Sequence, residues 1–167
     1  MTRSSTTPFG KGVKQRAVIR MTPEEIQAFL REQRTMSCAT INHDGTIHVI
    51  AMWYGFLDGC PALETKTKSQ KVQNLRRDPR ISCLVEDGDV YEQLRGVEIV
   101  GHAEIIEDPE QMFELGKSVV ERYMSNGQPY TDDLRPAVEA MLHKRVVVKI
   151  HADRYVSWDH RKLGGGG

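Results

Sequence analysis

The chain has 167 residues, with 23 Lys plus Arg balancing 23 Asp plus Glu, a length that suits one domain built on one core. Zero net charge removes the electrostatic reason to expect nucleic acid or an anionic membrane as a partner. The longest apolar runs, such as 146–150, are too short to cross a bilayer, and no apolar stretch follows the basic N-terminal residues; the expectation is a soluble, cytoplasmic protein.

Residues 1–20 read as a flexible N-terminal arm, 21–163 as the folded domain and 164–167 as a Gly tail. Thr22, Pro23 and Glu25 form a capping box, and Ile26, Phe29 and Leu30 mark one face, which predicts a helix over 23–33. A strand over 38–41, a turn at 42–45 and an extended stretch over 46–57 follow. Residues 62–68 alternate as a third strand, 71–77 form a short helix stopped before Asp78-Pro79, and 81–86 form a fourth strand. A fifth strand over 94–106 carries Gly96 and Gly101, interior glycines that suit the bends by which a sheet closes into a barrel. Asp108, Pro109 and Gln111 open a helix bearing Met112, Phe113, Leu115, Val119 and Tyr123; a further helix follows Pro136, and 146–158 is the sixth strand. The order predicts a six-stranded β-barrel with flanking helices, an α+β arrangement.

Phosphate-loop, nucleophile-elbow, His-Glu-x-x-His and calcium-loop patterns are missing from the sequence, which removes support for nucleotide hydrolysis, serine acyl transfer and metalloprotease chemistry. Cys38, Cys60 and Cys83 are odd in number and far apart, matching neither a paired disulfide framework nor a zinc site, and read as buried structural thiols. The six histidines include no pair at helical ligand spacing, so no metal site is expected.

The block Glu64-Thr65-Lys66-Thr67-Lys68-Ser69-Gln70-Lys71 carries the strongest chemical content. Strand alternation puts Leu63, Thr65, Thr67 and Ser69 on one face and Glu64, Lys66 and Lys68 on the other. Where the strand feeds the short helix, Ser69, Lys71 and free backbone N–H groups converge, a natural place for a phosphate. The alternative is a solvated surface strand and helix with no ligand.

Together with His48-Val49-Ile50-Ala51-Met52-Trp53-Tyr54 and Asn74-Leu75-Arg76-Arg77-Asp78-Pro79-Arg80, this block resembles the pyridoxamine 5'-phosphate oxidase-like, FMN-binding split β-barrels. The branch it resembles most uses the deazaflavin coenzyme F420. The resemblance spans about residues 22–162 and implies a six-stranded split β-barrel of the FMN-binding-protein type. It implies that Thr65, Lys66, Thr67, Lys68, Ser69, Gln70 and Lys71 surround the cofactor phosphate and tail, and that His48, Met52 and Trp53 lie along its ring. It further implies a homodimer with sites at the interface, each closed by Trp158 of the partner subunit, and a small-molecule substrate. Gln70 stands where the oxidases carry Arg, and His48 and Trp53 where they carry basic residues; both departures count against firm FMN binding. The expected activity is F420-dependent hydride transfer to or from a small organic acceptor. FMN-dependent reductase or oxidase chemistry, and an F420 carrier or sensor without turnover, stand as alternatives. No catalytic residue is assigned; His48 and Tyr54 are proton-donor candidates on chemical type alone.

Overall fold

The structure is a computed structural model, and it describes residues 14–164. Five α-helices, α1 (Gln15–Val18), α2 (Pro23–Glu32), α3 (Gln70–Arg77), α4 (Pro109–Tyr123) and α5 (Arg135–Leu142), accompany seven strands. The strands are β1 (Thr35–Ile41), β2 (Ile47–Trp53), β3 (Gly55–Leu57), β4 (Cys60–Lys66), β5 (Arg80–Asp87), β6 (Arg95–Ile106) and β7 (Arg145–Asp159). Residues 1–13 of the expected arm and 165–167 of the expected Gly tail lie outside the described residues.

All pairings are antiparallel, in the order β2-β1-β5-β6-β7-β4-β3. β2 and β3 are the two edges of this sheet, yet Tyr54 alone separates them in the chain. A sheet whose edges are one residue apart must curl, so the topology closes a split barrel with helices around it. The expected count of six strands becomes seven for the same reason: the stretch 46–57 is not one strand. It leaves β1 at Trp53 and joins β4 at Gly55, so its two halves belong to opposite edges.

Alternation fills the interior. Met36, Cys38 and Thr40 point inward from β1, Ile81, Cys83 and Val85 from β5, and Val97 and Ile99 from β6, all buried. Phe29 and Leu30 of α2 plug one end of this core, with Thr22 Oγ1 accepting the Glu25 N–H at 3.2 Å as the capping box predicts. Leu30 is fully buried, and its truncation to Ala should cost about 2–5 kcal/mol. A second cluster, Leu57, Ala62, Ile106, Leu115, Val119 and Val147, glues α4 to the outside of β4 and β7. Asp108 Oδ2 caps α4 by accepting the Gln111 N–H at 3.0 Å.

The two glycines of β6 do different things. At Gly101 the register with β7 shifts, and a Cβ there would meet the His151 carbonyl oxygen at 2.0 Å. At Gly96 the Trp158 ring lies against the bare Cα, with Cζ2 at 2.1 Å from where a Cβ would stand. No described helix is long and apolar enough to cross a membrane.

Candidate functional site

β4 ends at Lys66, two residues turn, and Ser69 caps α3 with an extended backbone. Its N–H donates to the Lys66 carbonyl at 2.9 Å, and no side chain caps the first-turn N–H groups of the helix. Uncapped first-turn N–H groups of this kind are the donors by which helix starts hold anions.

Beneath this turn lies Lys71, only 7% exposed. Its Nζ donates to Thr65 Oγ1 at 2.8 Å, and Ser69 Oγ stands 3.4 Å from the same oxygen. Burial pushes the Lys71 ammonium below its ordinary pKa; Arg145 works in the same direction, while Cys38 and Glu64 oppose it. Thr65, Ser69 and Lys71, proposed from sequence, thus form one hydroxyl-and-ammonium cradle. Glu64 points away from Thr65 and lies 2.9 Å from Arg145, a charge contact without hydrogen-bond alignment. Burial pushes the Glu64 carboxyl up, and Arg145 pulls it down.

The other residues of the block divide. Lys66 and Lys68 are exposed beside the cradle. Thr67 is committed elsewhere, its N–H and hydroxyl both donating to the Lys144 carbonyl at 3.1 and 3.0 Å. Gln70 is exposed and donates through Nε2 to Asn74 Oδ1 at 2.9 Å.

Asn74 is the residue that sequence reasoning missed. Fully buried, it donates to Thr40 Oγ1 at 3.0 Å and to Asn42 Oδ1 at 2.9 Å, tying α3 to β1. Its place on the apolar face of α3, between Val72 and Leu75 and four residues from Gln70, was the available signal. Arg145 was missed because only the β4–β7 pairing, with Lys66 opposite Arg145, brings it to the turn.

On β2, alternation separates residues grouped from sequence. His48 stands opposite Thr40 and Met52 opposite Met36, so both share the inward-facing side of β1. Trp53 faces the other way, 55% exposed, and stacks flat on Tyr123 with ring centroids 4.5 Å apart. Tyr54 is fully buried and donates its hydroxyl proton toward the Leu30 and Gln33 carbonyls, and burial raises its pKa. That commitment makes Tyr54 a clamp of the barrel seam rather than the proton donor its chemical type suggested. Trp158 sits twelve residues along β7 from Val146, the residue opposite Thr65; that is roughly 40 Å of strand contour. It occupies the far end of β7 from its own chain's cradle.

The roomiest cavity described, about 800 Å³, lies between α4, α5 and the β3–β4 turn, lined by Leu57, Met112, Phe113 and Leu142 among others. Thr65, Ser69 and Lys71 are not among its lining residues, so it is separate from the Lys71 cradle.

Residues 10–159 match the family described as Pyridoxamine 5'-phosphate oxidase. The crystal structure of conserved hypothetical protein Rv2991 from Mycobacterium tuberculosis is similar at 55% identity and a TM-score of 0.86, covering 93% of this chain and 95% of that one. A protein described as F420 Reductase is 31% identical with a TM-score of 0.59, over 80% of this chain and 98% of the other. An FAD-binding protein from Mesorhizobium loti shares the fold at 19% identity and a TM-score of 0.62, over 83% and 96% of the two chains. No curated protein matches the sequence.

Proposed function

Because this chain belongs to the pyridoxamine 5'-phosphate oxidase family, we propose that it binds coenzyme F420 and moves a hydride between that deazaflavin and a small organic acceptor. The observation that carries the reading is Lys71. A lysine 7% exposed, bonded to one hydroxyl beside another, under an uncapped helix start and outside ion-pair reach of any described carboxylate, is a donor set that fits a phosphate group. The 31% identity to a protein described as F420 Reductase supports the deazaflavin over FMN. So does Gln70, which supplies an amide where the oxidases carry a guanidinium.

F420, when bound, supplies two-electron hydride chemistry that no side chain here provides. The protein's part is to hold and orient. Thr65, Ser69 and Lys71 hold the phosphate, His48 and Met52 line the inner side of β2, and exposed Lys66 and Lys68 attract the anionic tail in a salt-sensitive way. The site is completed in a homodimer, with Trp158 of the partner subunit covering it. Neither nucleic acid nor membrane takes part, and the free thiols of Cys38, Cys60 and Cys83 suit a reducing, cytoplasmic setting.

The test is a pair of fluorescence titrations of the purified protein, with F420 and with FMN, repeated on Lys71→Ala. Loss of a charge-assisted bond worth about 1.5–3 kcal/mol should weaken F420 binding roughly 10- to 150-fold. Stronger binding of FMN than F420 would move the chain to flavin chemistry. Tight F420 binding with no turnover across an acceptor screen would make it a carrier, and binding of neither would overturn the reading.

A further inference from the structure

Cys38 on β1 and Cys83 on β5 are direct cross-strand partners. Both side chains point into the barrel and both residues are 1% exposed. The Cys83 thiol donates to Cys38 Sγ across 3.7 Å. Facing residues of antiparallel strands have Cα atoms about 4.5–5.5 Å apart, within the span of about 4.4–6.8 Å that a disulfide bridges. Cys60, the third free thiol, starts β4 opposite Leu57 and belongs to neither strand.

The pair also lies under the cradle. Cys38 lies near enough to Lys71 that a negative charge developing on its sulfur would favour the ammonium. Two residues along β1, Thr40 receives the Asn74 hydrogen bond that anchors α3. Any shift of the β1–β5 seam at Cys38 is therefore felt by both the lysine and the helix that present the phosphate donors.

We propose that Cys38 and Cys83 are an oxidisable dithiol, which hydroperoxides close to an intrachain disulfide and which thereby alters the affinity of the Lys71 cradle for its anion. Cys38 is the attacking sulfur, because it accepts the Cys83 hydrogen bond and neighbours the Lys71 ammonium. That hydrogen bond, and burial after it, push the Cys83 thiol up and keep it protonated. The Cys38 thiol gives up its proton as its sulfur attacks the distal peroxide oxygen; the S–O bond forms, the O–O bond breaks, and the departing alkoxide takes that proton and leaves as the alcohol, giving Cys38 sulfenic acid. The Cys83 sulfur then attacks the Cys38 sulfur, the S–O bond breaks, and the oxygen leaves as water with the Cys83 proton. Two thiols lose two electrons and one hydroperoxide becomes an alcohol and water. The effect on the cradle rests on the cofactor reading above; the disulfide does not.

The experiment treats the reduced full chain with cumene hydroperoxide, alkylates the remaining thiols, and maps cross-linked peptides by mass spectrometry. The expected product lacks two alkylatable thiols, carries a 38–83 link, keeps Cys60 free and reverts with dithiothreitol. Cys60→Ser should form the same link; Cys38→Ser and Cys83→Ser should not, with circular dichroism confirming that each folds. Retention of all three thiols under peroxide that oxidises free cysteine, over-oxidation of Cys38 with no link, or a link through Cys60 would each overturn the proposal. F420 affinity of the oxidised chain should differ at least threefold from that of the reduced chain, and equal affinities would refute the coupling. If neither form binds F420 or FMN, the cofactor reading fails while the peptide map still decides the disulfide.

Discussion

Lys71 works against the fold that carries it. Its ammonium is withdrawn from water, and the Thr65 hydroxyl together with the more distant Glu64 compensates that loss only in part, so its folded pKa lies below the ordinary 10.5. Between those two values the unfolded chain binds the extra proton, so stability rises with pH across that window and the penalty is fully present below it. Lys71→Met keeps the aliphatic stem and removes the charge. Its calorimetric melting midpoint at pH 7 should exceed that of the wild type, with the gap narrowing as pH approaches 10.5. A lower midpoint at pH 7 would show that the bond to Thr65 outweighs the desolvation. Residue types were legible here from the sequence: Thr65, Ser69 and Lys71 stand together as their spacing suggested. The facing of Trp53 and the commitment of Tyr54 were not, because both depend on what lies across the strand.

At the scale of elements, α3 is held in place mainly from β1. Asn74→Ala would strand Thr40 and Asn42 without their shared donor and Gln70 without its acceptor. Leaving buried groups unsatisfied costs about 1–3 kcal/mol, so the urea midpoint should fall. F420 affinity should fall less than in Lys71→Ala, since the phosphate donors remain. A midpoint equal to that of the wild type would mean that the other anchors of α3, Val72, Leu75, the Lys71 bond to Thr65 and the Arg77 bond to the Ile41 carbonyl, suffice without it. The other informative element is β6, where Gly96→Ala must push the Trp158 ring aside. A shifted tryptophan emission and weaker F420 binding are expected, and unchanged emission would show that the ring yields without moving its environment. Helix starts were the most legible elements, because Thr22 and Asp108 act within three residues of themselves. The break at Tyr54 was illegible because its apolar neighbours continue the same extended pattern on both sides.

For the whole molecule, the curled sheet leaves an apolar outer face. Ile47 and Val49 of β2 are 69% and 60% exposed, and Leu84 of β5 adds to them through the Ser37 pairing that joins β5 to β1. Contiguous exposed apolar surface of this kind marks an association site, and the proposed homodimer would cover it. The chain should therefore sediment as a dimer, and Val49→Glu should sediment as a monomer with an intact circular dichroism spectrum. F420 affinity should drop with it, since Trp158 of the partner subunit would be lost; a monomeric wild type would remove the interface from the proposal.

Local physics was enough for much of this protein. Capping side chains, two-residue alternation and glycines within β6 specify the helices, the strands and the barrel class, because each acts over a few residues of contiguous chain. The strand block at 64–71 likewise announces the turn at which Thr65, Ser69 and Lys71 meet. Only the tertiary structure decided that β2 and β3 are opposite edges, that Asn74 binds Thr40, that Arg145 meets Glu64 and that Cys38 touches Cys83. Those contacts join residues 34, 81 and 45 positions apart in the last three cases, where pairing register and sheet closure, rather than any local preference, choose the neighbour.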